Sequence, residues 1–222
     1  MSNIFAKLFE ISPLVWTVLA ILCLLSLLGI AFLSKRESHL SSTLTLKKMV
    51  YGGMCIALSF ILSYIRLYKM PQGGSITLAS MFPIILYSMV FGPIAGIIAG
   101  VAYGFLQLIQ DAWVINWAQL LFDYPFAFGF LGLAGITPQA IRNIQVRTVI
   151  AVSIALLGRG LMHFLSGIIF FADSIPEGTN AIIYSLAYNA SYIIPELIIT
   201  CVLSVLLIST PIYGIMKKSA IS

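Results

Sequence analysis

The chain has 222 residues, of which 60% are hydrophobic and 9% are charged. Because soluble domains carry about 25% charged residues, this composition excludes an ordinary soluble protein and predicts an integral membrane protein. The formal charge of +5 does not indicate nucleic-acid binding, since the basic residues are dispersed in loops between apolar segments.

The first apolar segment, residues 13–33, is long enough to cross a bilayer and is followed by Lys35 and Arg36. A secretory signal peptide carries its positive charge before the apolar core, so we interpret this segment as an uncleaved transmembrane helix with its N-terminus outside. We therefore divide the chain into an extra N-terminal transmembrane helix (residues 1–34), a polar cytoplasmic linker (35–46) and a membrane domain (47–222).

Six further spans are predicted, at residues 48–68, 78–91, 94–109, 116–136, 149–171 and 181–215. The predicted fold is thus an all-α integral membrane protein, a six-helix bundle plus the extra N-terminal helix. The second of the six is short and ends at Gly92 and Pro93, so we expect it to adjoin a cavity. The last is expected to project beyond the membrane or to bend at Pro195. The three cysteines lie in separate apolar segments without metal-ligand spacing and are interpreted as packing residues: Cys23, Cys55 and Cys201.

The distribution of Lys and Arg predicts the orientation, because cytoplasmic loops carry the excess of positive charge. If all six segments cross, the basic loops fall on one side, which is then cytoplasmic and includes the C-terminus. Their cations are Lys35, Arg36, Lys47, Lys48, Arg142, Arg147, Lys217 and Lys218. The opposite loops should be more acidic and favour a cationic solute, since Asp111, Asp173 and Glu177 stand there against Arg66 and Lys69. The expected location is the plasma membrane.

A binding site is indicated by polar side chains inside the apolar stretch 159–189. Arg159 and His163 are four residues apart, so on a helix they share a face that continues through Ser166 and Phe170. Ionisable groups at membrane depth usually point into a bundle interior or a wet cavity. The alternative is that His163 is a satisfied core residue.

The run from 116 to 136 holds a carboxylate, Asp123, next to Tyr124. A carboxylate among apolar residues needs a donor, which an amine on a ligand or a salt bridge to Arg159 could supply, and the two are compatible. Glu196 is expected to satisfy the carbonyl freed by Pro195 or to face water, outside the site. Ring faces are available from several aromatic residues, each of which could instead anchor at the membrane interface: Trp113, Trp117, Phe170, Phe171, Tyr184 and Tyr188.

Four runs in order resemble one family: PQGGSI from Pro71, LLFDYPFAFGFLGLAG from Leu120, HFLSGIIFF from His163 and YSLAYN from Tyr184. From about residue 47 the chain resembles the thiamine-specific substrate-binding subunit, or S component, of energy-coupling factor (ECF) vitamin transporters. The resemblance implies a protein that is not an enzyme, needs no cofactor and captures thiamine from outside. Its partners would be a transmembrane coupling subunit and two cytoplasmic ATPase subunits.

The resemblance also implies the ligand contacts, which fall on Asp123, Tyr124, His163, Tyr184, Asn189, Trp113 and Arg159. Two positions depart from the family pattern, since Phe171 and Gly74 stand where members have tryptophan. The residue types suit thiamine chemically, because its aminopyrimidine calls for a carboxylate and an amide or imidazole, whereas its thiazolium cation favours ring faces. Asn189 could instead bond a neighbouring helix.

A partner surface is indicated on the first core helix, where Gly53 and Ala57 form a small-xxx-small face that permits close helix approach. In the family the matching residues dock the coupling subunit; the alternative is packing inside the bundle. Three further hypotheses stay open: an S component for another vitamin or for hydroxymethylpyrimidine, a solitary carrier, and an intramembrane enzyme using Asp123 and His163 as an acid–base pair. The last lacks an evident nucleophile or metal set.

Overall fold

The computed structural model describes residues 46–137, 140–171 and 175–221. The predicted N-terminal helix and residues 35–45 of the linker lie outside the described residues, as do Cys23 and Asp173. The described helices are α1 (Leu46–Leu62), α2 (Phe82–Phe91), α3 (Pro93–Asp111), α4 (Trp117–Ile136), α5 (Ile144–Phe170), α6 (Ala181–Ile208) and α7 (Ile212–Ile221). Of these, α3 to α6 are long and apolar enough to cross a membrane, which confirms the membrane class.

The helix boundaries follow from local chemistry. Asn143 and Asn180 cap α5 and α6, because each side chain accepts hydrogen bonds from backbone N–H groups two and three residues further on. Gly92 separates α2 from α3 with a φ of 92°, a conformation that favours glycine. Pro93 then begins α3, where its missing N–H costs nothing.

A short β-hairpin replaces the end of the first predicted core span. Helix α1 ends at Leu62, and β1 (Arg66–Lys69) pairs antiparallel with β2 (Ser75–Thr77). The connecting loop contains Gly73 and Gly74 at φ values of 86° and 88°, which only glycine adopts easily. The expectation of a continuous helix to residue 68 is therefore wrong, and the all-α fold carries this hairpin as an addition.

The last predicted span is also divided. Helix α6 continues through Pro195 and ends at Ile208, and α7 follows after a short turn. Pro211 has no backbone N–H and so cannot continue a helix from α6. The chain beyond Ile208 therefore forms a separate helix, and Met216 anchors it in the main core.

Helix α4 is wound irregularly. A π-helical segment, Phe122–Phe126, interrupts it, and the helix finishes as a 3-10 helix, Phe130–Ile136. Pro125 lies in the π segment; its ring would clash with the carbonyl four residues earlier in an α-helix, and the wider π turn relieves that clash. The same segment carries Asp123 and Tyr124.

Glycines of α3 set the position of this segment. Gly96, Gly100 and Gly104 recur every four residues and face α4, and all three are buried. A Cβ added at Gly104 would lie 2.6 Å from the carbonyl oxygen of Tyr124, inside van der Waals contact. The two backbones can approach this closely only because side chains are absent.

The described helices place different chemistry at the two ends of the bundle. The hairpin, the start of α4, the end of α5 and the start of α6 lie at one end, the cavity end. At the opposite end, which we call the basic end, Tyr87 Oη of α2 donates to Lys48 O at the start of α1. Arg147 Nη1 at the start of α5 donates to Tyr213 Oη of α7. The cations of the basic end are Lys47, Lys48, Arg142, Arg147, Lys217 and Lys218.

Candidate ligand-binding site

A cavity of about 270 Å³ opens at the cavity end, between the hairpin, α4, α5 and α6. Eight of the side chains that the sequence singled out line it: Trp113, Asp123, Tyr124, Arg159, His163, Phe171, Tyr184 and Asn189. Of the other aromatic residues offered as ring faces, Tyr188 lines the cavity, whereas Trp117 and Phe170 do not. Residues from four separate parts of the chain therefore share one enclosed volume. Trp113 lies at the rim, since about half of it is exposed.

Asp123 is the polar centre of the cavity wall. Its Oδ2 accepts hydrogen bonds from Gln119 Nε2 at 2.6 Å and Ser166 Oγ at 2.8 Å, and its Oδ1 lies 2.9 Å from His163 Nδ1. Within the described residues, the alternative salt bridge between Asp123 and Arg159 is not formed. The nearest ring nitrogen of His163 takes that place instead. These three polar partners fix the position of the carboxylate at the cavity wall.

His163 presents its second nitrogen without a partner. In the neutral tautomer whose Nδ1–H donates to Asp123, Nε2 is an acceptor. Nε2 is buried and makes no hydrogen bond to the described residues. Because buried polar atoms are nearly always satisfied, Nε2 is the ring atom available to a ligand.

Arg159 is a second unsatisfied group. It is only 5% exposed, and its guanidinium carbon lies 4.8 Å from the ring centroid of Phe128, which stabilises the cation through the ring face. Its Nε and Nη1 have no hydrogen-bond partner among the described residues. These N–H groups can donate to an oxygen of a bound molecule.

Tyrosines of α6 form the aromatic side of the cavity. The rings of Tyr184 and Tyr188 are stacked with centroids 6.4 Å apart, and Tyr192 meets Tyr188 edge-on at 6.2 Å. Asn189 links α6 to α5, because its Nδ2 donates to His163 O of α5 at 3.3 Å as well as to Ser185 O of its own helix at 2.9 Å. The sequence left open whether Asn189 contacts a ligand or a helix; in the structure it lines the cavity and bonds a helix.

The hairpin loop covers part of the cavity and is held by α6. Tyr188 Oη accepts from the backbone N–H of Gln72 at 2.9 Å and donates to Gly73 O at 3.0 Å. A Cβ at Gly74 would lie 3.0 Å from the ring of Tyr192, so a tryptophan there would require the loop to move. The absence of a side chain at Gly74 therefore leaves room for the ring of Tyr192.

The cavity mouth is not acidic in the described part of the chain. Asp111 binds both Arg66, at 2.7 Å, and Lys69, so the two cations outnumber the carboxylate. Glu177 is not among the residues that line the cavity, and Asp173 lies outside the described residues. The expectation that the loops on this side are the more acidic ones therefore stays a prediction.

Sequence reasoning missed three features of the site. Gln119 bridges Asp123 and the Trp113 carbonyl, and its position one helical turn before Asp123 was the available signal. Tyr192 donates to Asn189 Oδ1 at 2.7 Å and lies one turn after it. Glu196 neither faces water nor satisfies the carbonyl freed by Pro195; it is fully buried and accepts from Thr77 N and Oγ1, which ties the hairpin to α6.

The fold and the cavity define a multi-pass membrane protein with a cavity lined by a carboxylate, an imidazole and aromatic rings. The family described as "Thiamine transporter protein (Thia_YuaJ)" matches residues 49–214. The chain belongs to this family, which confirms the resemblance drawn from its sequence runs.

Individual relatives agree with this membership. The chain is 38% identical to "Thiamine transporter ThiT" of Bacillus subtilis over 152 residues, 64% of this chain and 79% of that protein. It is 29% identical to a protein of the same name from Lacticaseibacillus paracasei, over 55% of this chain and 67% of that one. A solved structure of ThiT from Listeria monocytogenes has the same fold, with a TM-score of 0.65 and 21% identity over 75% of this chain and 96% of that one. Because the family is one of transporters, the hypothesis of an intramembrane enzyme is set aside.

Proposed function

We propose that this protein is the thiamine-binding S component of an ECF importer and that it holds thiamine in the cavity lined by Asp123 and His163. The observation that carries the proposal is the network around Asp123, which combines a partly buried carboxylate with an unsatisfied imidazole nitrogen. A solute with an amine donor and a cationic ring satisfies both groups. The family membership supports thiamine as that solute.

The contacts distribute over the two rings of thiamine. The aminopyrimidine lies against Asp123 and His163, so that its amine donates to the carboxylate or to Nε2. The thiazolium cation lies against ring faces supplied by Trp113, Phe171 and Tyr184, with Tyr124 adjacent. Arg159 offers its free N–H groups to the hydroxyl of the side chain. Asn189 fixes the distance between α5 and α6 and keeps one lone pair of Oδ1 for the ligand.

In the proposed orientation, the cavity end and the N-terminus lie outside the cell, and the basic end and the C-terminus lie in the cytoplasm. The gathering of six cations at the basic end supports it. The proposed boundary between linker and membrane domain lies at residues 46 and 47, where the described part of the chain begins.

The proposed docking face for the coupling subunit is the exposed side of α1. Gly53 and Ala57 are exposed, and a Cβ added at Gly53 would meet nothing within 4 Å. Packing within the described bundle therefore does not account for these small residues, which supports a partner helix instead. The cytoplasmic ATPases would act through that subunit.

Calorimetry with the purified chain tests the ligand. Thiamine, thiamine phosphates and hydroxymethylpyrimidine are titrated side by side, and thiamine is expected to bind with a Kd below about 1 μM, a free energy beyond roughly −8 kcal/mol. The pyrimidine alone should bind more weakly because it leaves the ring faces unused. Tighter binding of hydroxymethylpyrimidine than of thiamine would favour the alternative, an S component for the precursor.

A further inference from the structure

Arg147 is an unusual cation at the basic end of the molecule. It lies in the first turn of α5 and is only 5% exposed. Its Nη1 donates to Tyr213 Oη at 3.1 Å, and its Nε is buried without a partner among the described residues. Because taking a guanidinium out of water is costly unless an anion is paired with it, this arrangement calls for a negative group.

The described part of the chain supplies no such group here. Its carboxylates belong to Asp111, Asp123, Glu177 and Glu196. The first two line the cavity at the opposite end, Glu177 precedes α6 at that same end, and Glu196 binds Thr77. A second cation lies close instead, since Lys217 Nζ is 6.0 Å from the ring centroid of Tyr213. Arg147 and Lys217 thus flank one tyrosine.

The location of α7 identifies the kind of anion. The helix begins four residues after the membrane-spanning α6 ends, and Met216 holds it against the core. Ile212 and Ile215 remain 42% and 60% exposed on the same short helix as Lys217 and Lys218. A short helix that follows a transmembrane helix and exposes both apolar and lysine side chains lies in the lipid headgroup layer. The negative groups of that layer are lipid phosphates.

We propose that Arg147, Tyr213 and Lys217 form a binding site for the phosphate of an anionic phospholipid. Arg147 and Lys217 supply the charge, and the Tyr213 hydroxyl, which accepts from Arg147, donates its own hydrogen to a phosphate oxygen. The exposed Ile212 and Ile215 contact the acyl chains beside it. The site lies at the end of the bundle away from the cavity and does not depend on which solute the cavity holds.

Native mass spectrometry of the full chain tests the site. The purified protein is presented with phosphatidylglycerol or phosphatidylcholine of identical acyl chains, and the retained lipid is counted. Wild type should retain phosphatidylglycerol preferentially, and Lys217→Gln should weaken that retention about fivefold. Lys218→Gln removes the same charge from the next residue of α7 and leaves Lys217, whose Nζ lies near the ring of Tyr213, in place, so it should change retention far less. Tyr213→Phe should weaken retention while leaving the net charge unchanged.

Two results would overturn the proposal. Equal losses in Lys217→Gln and Lys218→Gln, with none in Tyr213→Phe, mean diffuse attraction to the membrane surface and no defined site. Displacement of the lipid by millimolar inorganic phosphate means that the group held is a soluble anion. Thiamine binding by each variant reports that the bundle is folded, and if Arg147→Gln fails this control, Tyr213→Phe and Lys217→Gln decide the question.

Discussion

At the scale of single residues, the cavity is defined by side chains whose hydrogen-bonding capacity exceeds what the described protein satisfies. Asp123 has three hydrogen-bond partners, whereas His163 Nε2 and two nitrogens of Arg159 have no partner among the described residues. This contrast separates the anchored carboxylate from the groups left to meet a solute. It is a physical reason to place the ligand between Asp123, His163 and Arg159.

Replacement of Asp123 by asparagine should reduce the affinity for thiamine by about 10- to 150-fold, because a hydrogen bond to a charged group contributes roughly 1.5–3 kcal/mol. Titration calorimetry measures the effect. The matched control is Asp111→Asn, the same chemical change at the exposed mouth, where Asp111 pairs with Arg66 and Lys69. Similar losses in both variants would show that charge at the mouth, and not the interior carboxylate, recognises the solute.

The side chains of the site were predictable to the extent that polar groups stand out in apolar runs. Asp123, His163 and Arg159 were found in this way, and their order along the chain matched the family. Gln119 and Tyr192 were missed because neither carries a charge that stands out in an apolar run, and a membrane tyrosine usually anchors at the interface. Which of them turns inward depends on how α4 and α6 are rotated, and hydropathy does not report that rotation.

At the scale of elements, the hairpin is the part of the fold that the sequence concealed. Its first strand, Arg66–Lys69, continues an apolar helical run, so no change of period marks the end of α1 at Leu62. The paired glycines at 73 and 74 signalled a turn but not its strands. The hairpin is then fixed by long-range contacts, with Tyr188 on its loop and Glu196 on its base.

Glu196→Ala should lower the free energy of unfolding by about 1–3 kcal/mol, since it leaves the Thr77 N–H buried without an acceptor. Thermal unfolding in detergent measures the loss. Glu196→Gln is the matched control, because its amide oxygen can still accept from Thr77 N and its amide nitrogen can donate to Thr77 Oγ1. If the glutamine variant unfolds as early as the alanine variant, the negative charge and not the hydrogen-bond geometry holds the hairpin.

The contact between α3 and α4 gives a second prediction at this scale. Gly104→Ala places a methyl group 2.6 Å from the Tyr124 carbonyl oxygen and should destabilise the bundle by about 1–3 kcal/mol through overpacking. Gly53→Ala adds the same methyl group where nothing lies within 4 Å and should leave the melting temperature unchanged or raise it slightly. Equal melting temperatures for the two variants would contradict the close packing of α3 on α4.

At the scale of the whole molecule, the basic loops and the cavity lie at opposite ends of the described bundle. The basic loops predicted from the sequence do gather at one end of the described bundle, and the cavity opens at the other. Sequence counts could not predict the pairing at each end. Asp111 pairs with two cations, whereas Arg147 has no carboxylate beside it in the described part of the chain. Such pairings depend on which helices are neighbours.

Separation of capture from delivery can be tested with Ala57→Trp on the exposed face of α1. The bulky ring should leave thiamine binding by the purified chain unchanged, since α1 does not line the cavity in the described residues, yet abolish uptake by blocking helix approach. Radiolabelled thiamine uptake in cells that contain the coupling module measures this. Ile198→Trp, an equally large change at an exposed position of α6, is the control and should transport normally.

The glycine contact beneath Tyr124 has a consequence for how tightly a solute is held. Since the backbone of the π segment packs directly against α3, the carboxylate of Asp123 is held in position before any solute enters. A rigid, ready-made surface forfeits little conformational freedom when it is occupied. A small molecule with few functional groups can then bind tightly. Any movement that admits it to the cavity is expected in the hairpin.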